Sequence, residues 1–153
     1  MASRPILEKQ LAKLVRGAPD PPSAFACQTI GAVLVATAEK LTHTHYFLVT
    51  DRASQWQLVT LNNVQAPEQY KTVIYAFADS TTANIERLQS GAQELLCQRL
   101  PVIEILWRAL PLNKVDSLIF FEEKFQNDRG KEINIPQLYR KCQQYLGQNS
   151  TIV

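Results

Sequence analysis

The stretch "VDSLIFFEEKF", residues 115–125, raises the central question about this chain. Its apolar run is typical of a buried strand, and it ends in Glu122, Glu123 and Lys124. Acidic residues and a lysine two apart on a strand share one face, an arrangement that metal-dependent nucleases use to hold Mg²⁺ and stabilise charge at a phosphodiester. The same residues also end ordinary strands and solubilise the next loop. The surrounding elements are needed to weigh the two interpretations.

Strand-like stretches dominate the chain on both sides of this segment. The connectors between the first four stretches are too short for crossover helices, so these strands are predicted to be mostly antiparallel neighbours. The predicted strands are "TIGAVLVATA" (29–38), "THYFLVT" (44–50), "QWQLVTL" (55–61), "KTVIYAF" (71–77), "VIEILWR" (102–108) and "SLIFFE" (117–122).

Helical patterns lie before, within and after the strands. In residues 1–17, Leu7, Leu11 and Leu14 fall at i, i+4 and i+7, which predicts an N-terminal amphipathic helix. The prolines of residues 18–25 then predict an extended connector.

A central helix is predicted within "ADSTTANIERLQSGAQELLCQRLP" (78–101), and a C-terminal helix within "INIPQLYRKCQQYLG" (133–147). Residues 148–153 are expected to form a flexible tail. The predicted apolar face of the central helix comprises Ile85, Leu88, Ala92, Leu95 and Leu96.

The order αββββαββα predicts a single α+β domain over residues 1–153, with a mostly antiparallel sheet of about six strands. At the level of fold, this order resembles the small dimeric chaperones of secretion systems and related sensory-regulator domains, whose order is α-β-β-β-α-β-β-α. The chain has one strand more. The resemblance implies a protein that binds a client or a second subunit, and it extends to the order of elements, not to particular residues.

Composition and cysteine usage set the broad class. Hydrophobic residues at 46% and charged residues at 20% are ordinary for a folded globular protein, and a net charge of +2 gives no strong field for nucleic acid or membrane. Cys27, Cys97 and Cys142 are far apart and odd in number, which favours a reducing compartment. The N-terminal segment lacks the unbroken apolar core of a signal peptide, and no membrane span is recognised. We therefore expect a cytoplasmic protein without a cofactor.

Two constellations could carry metal chemistry. Asp116, Glu122 and Lys124 would form the site of a phosphodiester enzyme, although nucleases of the PD-(D/E)xK class carry their E-x-K on the third core strand, and "QWQLVTL" has no acid or lysine. His43 and His45 lie two apart, which is metal-ligand spacing on a strand, but a third ligand is not evident. Both sets also fit ordinary surface roles.

Binding to another protein is the function predicted from these observations: an adaptor, a chaperone, or an assembly or regulatory factor that could also form a homodimer. The alternative is a metal-dependent nuclease. Phe120 and Phe121 point to opposite faces of their strand, so one is expected in the core and the other under a helix or in an interface. The candidate interaction residues are Trp107, Phe120, Phe121 and Phe125, with Lys9, Lys13 and Arg16 on the polar face of the first helix.

Overall fold

A computed structural model describes residues 1–91, 94–123 and 130–150. Within these residues it contains five helices and six strands, which confirms the α+β class. The elements are α1 (Arg4–Arg16), α2 (Pro21–Glu39), β1 (His45–Thr50), β2 (Val59–Asn63), β3 (Ala66–Phe77), α3 (Ser80–Gln89), β4 (Leu96–Pro101), α4 (Val102–Ala109), β5 (Ser117–Phe121), β6 (Lys131–Asn134) and α5 (Ile135–Ser150).

The order of these elements differs from the predicted one. Two helices, α2 and α4, replace predicted strands, while β4 and β6 are additional strands. The order of helices and strands in the structure therefore does not resemble that of the secretion-system chaperones. Helix α5 runs through Ser150, so the segment predicted as a tail from residue 148 begins as helix, and residues 151–153 lie outside the described part of the chain.

The chain divides into two compact units. One combines Met1–Thr44, Pro101–Pro111 and Pro136–Val153, and the other combines His45–Leu100 with Leu112–Ile135. The first unit is helical, and the second contains the sheet and α3. The expectation of a single domain stays a prediction.

Two prolines of the predicted extended connector are instead the first residues of α2. Pro21 and Pro22 occupy the first turn of the helix, where the missing N–H would have no intrahelical partner. The Asp20 side chain caps this turn by accepting a hydrogen bond from Ser23 N at 2.7 Å. The prediction of an extended segment over residues 18–25 was therefore wrong from Pro21 onward.

Helix α2 also contains the stretch 29–38 that was predicted as a central strand. The stretch is apolar all round and rich in β-branched residues, a composition shared by buried strands and buried helices. Leu34 and Ala38 are fully buried, and a Cβ on Gly31 would lie 2.4 Å from Leu11 Cδ2, which shows how closely α1 and α2 pack. Among the described residues, α2 is the one helix long and apolar enough to cross a membrane, a property that buried core helices share.

Helix α4 begins where the predicted strand 102–108 was placed. The backbone N–H of Val102 donates to Thr44 O at 2.9 Å, and Ile103 N donates to Gln10 Oε1 at 3.3 Å. These bonds satisfy N–H groups that the first turn of a helix leaves without partners. An eight-residue apolar segment fits strand or helix, and here the partners supplied by other segments of the same unit favour the helix.

The strands form one sheet in the order β4-β1-β3-β5-β6, with β2 also paired to β3. β1 and β2 run antiparallel to β3, with Phe47 opposite Phe77 and Val59 opposite Val73. β5 is antiparallel to β6 but parallel to β3. The prediction of a mostly antiparallel sheet is confirmed, apart from the β3–β5 pair, which a connection through α3, β4 and α4 makes possible.

The predicted central helix over 78–101 is only half helix. α3 ends at Gln89, and Gly91 has a φ of +70°, a left-handed conformation that favours glycine and ends helices. The chain then enters β4 at Leu96. Leu95 and Leu96 therefore do not share a helical face with Ile85 and Leu88.

Candidate interaction surface

The two phenylalanines predicted to have different roles are both part of the core. Phe121 stacks on Phe77 with ring centroids 5.3 Å apart, and Phe120 contacts Tyr46 edge-on at 4.8 Å. The exposed fractions of Phe120 and Phe121 are 0% and 3%. Both faces of β5 are covered within the chain, so neither ring is accessible to a partner. Trp107 is half-buried in α4, and Phe125 lies outside the described residues.

The residues of the alternative nuclease site do not come together. Asp116 precedes β5 and accepts a hydrogen bond from Thr72 N at 2.8 Å, whereas Glu122 follows the other end of the strand. Six residues of extended chain separate their Cα atoms by about 20 Å. One metal ion cannot bind both carboxylates. Glu123 is exposed, and Lys124 lies outside the described residues.

Glu122 has a structural partner. It accepts a hydrogen bond from the hydroxyl of Tyr46, a fully buried residue, and its other oxygen lies 3.8 Å from Lys131 Nζ. A buried tyrosine hydroxyl needs an acceptor, and a carboxylate at the end of β5 supplies one. The position of Glu122 is thus explained by its hydrogen bond with the side chain of Tyr46.

The two histidines are not ligands on one strand face. β1 begins at His45, so His43 lies before the strand, and both residues are half-buried. Burial, and to a smaller extent the Arg99 guanidinium, lower the pKa of His45. No group of three or more His, Cys, Asp or Glu side chains suited to a metal occurs within residues 1–91, 94–123 and 130–150.

The cysteines are free thiols in weakly reactive surroundings. Burial raises the pKa of Cys27 and of Cys97, and it raises the pKa of Cys142 to about 11. Because the thiolate is the nucleophile, these surroundings disfavour covalent thiol chemistry at neutral pH.

Lys9, Lys13 and Arg16 are exposed on α1, as predicted, and no ion pair involves them among the described residues. Lys13 and Arg16 occupy the last turn, where cations interact favourably with the helix dipole. The helix dipole thus accounts for the positions of Lys13 and Arg16 without a binding partner.

Helix α3 is attached to the sheet through its smallest side chains. Ala83 is fully buried in a cluster with Val49, Phe77 and Phe121. The Asp79 carboxylate caps the helix by accepting hydrogen bonds from Thr82 N at 3.0 Å and Thr82 Oγ1 at 2.7 Å. The cap satisfies the buried threonine, and the small alanine lets the helix approach the aromatic rings.

The larger apolar side chains of α3 therefore point away from the sheet. Ile85 is 38% exposed and Leu88 is 68% exposed. Together with exposed Thr81 they fall at i, i+4 and i+7 on one side of the helix, which we call the outer face of α3. A helix normally buries its aliphatic side chains, so an outer face of this kind is a candidate interaction surface.

The sequence pattern missed this surface because it assigned Ile85 and Leu88 to the core. A signal against that assignment was present in "SG" at Ser90 and Gly91, which is typical of a helix end. A helix that stops there loses three of the five residues of its predicted apolar face. Nothing in the sequence shows that the remaining two face solvent.

Other large apolar residues are exposed singly, as is common on protein surfaces. They lie at the chain start, on α1, α2 and α5, in loops and on β3 and β4, and no helix carries more than one of them among the described residues. They include Met1, Ile6, Phe25, Leu58, Val64, Tyr70, Leu96 and Tyr139.

Comparison with known proteins adds no name to this geometry: no protein-family model matches the chain, and no curated protein matches it. Function is therefore inferred from the surface itself.

Proposed function

We propose that this chain is a non-enzymatic protein-binding domain, an adaptor, chaperone or assembly factor, which contacts its partner through the outer face of α3. The observation that carries the proposal is the orientation of α3, whose Thr82 and Ala83 are buried while Ile85 and Leu88 are exposed.

The physical gain from covering this face is substantial. Full burial of an aliphatic side chain is worth about 1.5–3 kcal/mol relative to exposure, and Leu88 retains most of that gain for a binding partner. The Asp79 side chain caps the start of the helix, and Asn84 links the helix to β4 by accepting a hydrogen bond from Cys97 Sγ at 3.4 Å. A fixed backbone lowers the entropy lost on association.

Binding can be tested by affinity capture from an extract of the source cells, with wild-type protein and the double variant Ile85→Asp, Leu88→Asp as baits. Val64→Asp is the matched control, because Val64 is 94% exposed and lies outside α3. Circular dichroism confirms that each bait is folded.

We expect at least one protein to be retained by wild type and by Val64→Asp, and to be lost with the double variant. Retention of the same proteins by all three baits would contradict the proposal, because binding would then not depend on α3.

A further inference from the structure

β4 lies at one margin of the sheet, where it is paired with β1. Within the described residues, no strand pairs with its other edge. The N–H and C=O groups along a strand edge are spaced for hydrogen bonds with a further extended chain. This edge therefore specifies the conformation of a partner, which must be an extended peptide.

β2 and β6, the other marginal strands, are better protected against such pairing than β4. β6 has four residues, two of which are the charged Lys131 and Glu132. β2 pairs with β3 in a register that shifts between Asn62 and Asn63. Short strands, charges and bulges are the usual features that protect a sheet edge. β4 has six residues, and residues 96–100 contain a single charge and no proline.

The side chains near this edge give it a charge preference. Cys97 and Arg99 are two residues apart on the strand, so they share the face on which α3 packs. The Arg87 guanidinium of α3 lies close enough to the Cys97 thiol to oppose the rise in its pKa that burial causes. Arg99 is exposed and forms no ion pair within residues 1–91, 94–123 and 130–150. Two cations therefore border one face of β4.

Nearby acidic residues are directed to other partners. Glu94 pairs with Arg52 at 3.1 Å. Burial, and to a smaller extent the Glu86 carboxylate, raise the pKa of Tyr75, which places Glu86 beside that side chain. On the opposite face of β4, Leu96 is 56% exposed. The edge thus offers positive charge on one face and an apolar contact on the other.

We infer that β4 binds an extended peptide segment of a partner protein, which adds a strand to the sheet and alternates acidic with apolar side chains. Successive side chains of a strand point to opposite faces, so the acidic residues meet Arg87 and Arg99 while the apolar ones meet Leu96. Main-chain hydrogen bonds contribute affinity, and the alternation contributes selectivity. The inference goes beyond the proposed function, because this surface does not include the outer face of α3.

A model peptide provides the test. A single added strand makes a small contact, so we expect weak binding, with a dissociation constant of roughly 10 µM to 1 mM. The probe is a fluorescein-labelled peptide of about eight residues, the length of an ordinary strand, in which glutamate and valine alternate. Fluorescence anisotropy is measured as the full chain is titrated into it.

Two reference peptides separate the contributions of charge and backbone. The first has lysine in place of glutamate. The second keeps the glutamates but has two consecutive central residues N-methylated. Adjacent residues of a strand direct their N–H groups to opposite sides, so this change removes at least one donor that faces β4.

Wild type should bind the glutamate peptide at least about tenfold more tightly than either reference peptide. Arg99→Glu should weaken binding of the glutamate peptide about tenfold and strengthen binding of the lysine peptide. Arg140→Glu makes the same charge change on the exposed surface of α5 and should bind like wild type. Circular dichroism checks that each variant is folded.

Amide hydrogen exchange of the wild type locates the contact. Amides of residues 96–100 that point away from β1 should exchange at least about threefold more slowly when the glutamate peptide is present in excess. The N-methylated peptide should not produce this protection.

A glutamate peptide that fails to bind at about 1 mM would overturn the inference. Equal binding of all three peptides, unchanged binding by Arg99→Glu, or protection confined to residues outside 96–100 would overturn it as well. Self-association of the wild type that the peptide does not displace from β4 would make a second copy the occupant instead. Capture through Ile85 and Leu88 is measured separately, so none of these outcomes removes the proposed function.

Discussion

Gly130 lies so close to Ile119 that a Cβ added to the glycine would be 2.3 Å from Ile119 Cγ2. The same Cβ would lie 3.2 Å from the backbone oxygen of Phe120. Ile119 is β-branched and cannot easily turn away, and the backbone of β5 is held by its neighbours on both sides. A residue with a Cβ at position 130 therefore requires Ile119 or the chain that enters β6 to shift.

Gly130→Ala should therefore destabilise the protein by about 1–3 kcal/mol, the usual cost of overpacking. Gly147→Ala is the control, because a Cβ there meets nothing within 4 Å and alanine favours helix α5. Urea denaturation of both variants measures the difference. Equal stability of the two variants would show that the chain near Gly130 can move away from β5.

Phe120→Ala and Phe121→Ala should both strongly destabilise the protein, because both rings are buried. A buried Phe→Ala change costs about 3–5 kcal/mol, a large part of the stability of an ordinary domain. Thermal unfolding followed by circular dichroism should show two similar, large decreases. Phe25→Ala, at a residue that is 69% exposed, should change little. A stable Phe121→Ala protein that had lost only its association would instead support an interface role for Phe121.

Tyr46→Phe should cost about 1–3 kcal/mol, since it removes a hydrogen bond to a charged group and leaves Glu122 without its buried donor. Tyr139→Phe is the control, because Tyr139 is 45% exposed and its hydroxyl accepts a hydrogen bond from the uncharged Gln143 on the helix surface. Chemical denaturation should separate the two variants clearly. An unchanged stability of Tyr46→Phe would argue that Glu122 is free to act elsewhere.

Glu132 should make stability depend on pH. Hydrogen bonds from Lys71 and then from Ser117, whose Oγ lies 2.5 Å away, lower the pKa of Glu132 from its ordinary value of 4.5. A carboxylate with a lowered pKa in the folded state stabilises the protein above pH 4.5, and the contribution is lost as the pH falls through the folded value. The side chain is 40% exposed, so screening by solvent and salt keeps the effect small.

The measurement compares wild type with Glu132→Gln by denaturation at pH 7 and near pH 3. Wild type should be more stable at pH 7, and the difference should shrink in acid. Glu68→Gln removes an exposed carboxylate that forms no ion pair in the described part of the chain, and serves as the control. A difference between wild type and Glu132→Gln that is the same at both pH values would contradict the assignment.

The local sequence correctly predicted the elements whose apolar residues follow one clear periodicity, that of a helix or that of a strand. α1 follows from leucines at helical spacing, and α5 from a similar pattern after Ile135. β1, β3 and β5 follow from runs of β-branched and aromatic residues. In these segments the local preference agrees with the tertiary structure.

Where the pattern was ambiguous, nonlocal contacts decided the structure. Residues 29–38 are apolar on all sides and read equally as buried strand or buried helix, and their close packing on Leu11 favours the helix. Val102 begins α4, and its backbone N–H donates a hydrogen bond to the oxygen of Thr44, a residue far away in sequence. No window of local sequence contains such a partner.

Residue patterns alone predicted the α+β class and a mostly antiparallel sheet. Contacts between elements are what bury both Phe120 and Phe121 and leave Ile85 and Leu88 exposed at 38% and 68%. The periodicity of a helix indicates which residues share a face, but the direction of that face depends on contacts. In α3 the Asp79 cap and the fit of Ala83 against the aromatic rings turn the two aliphatic residues outward.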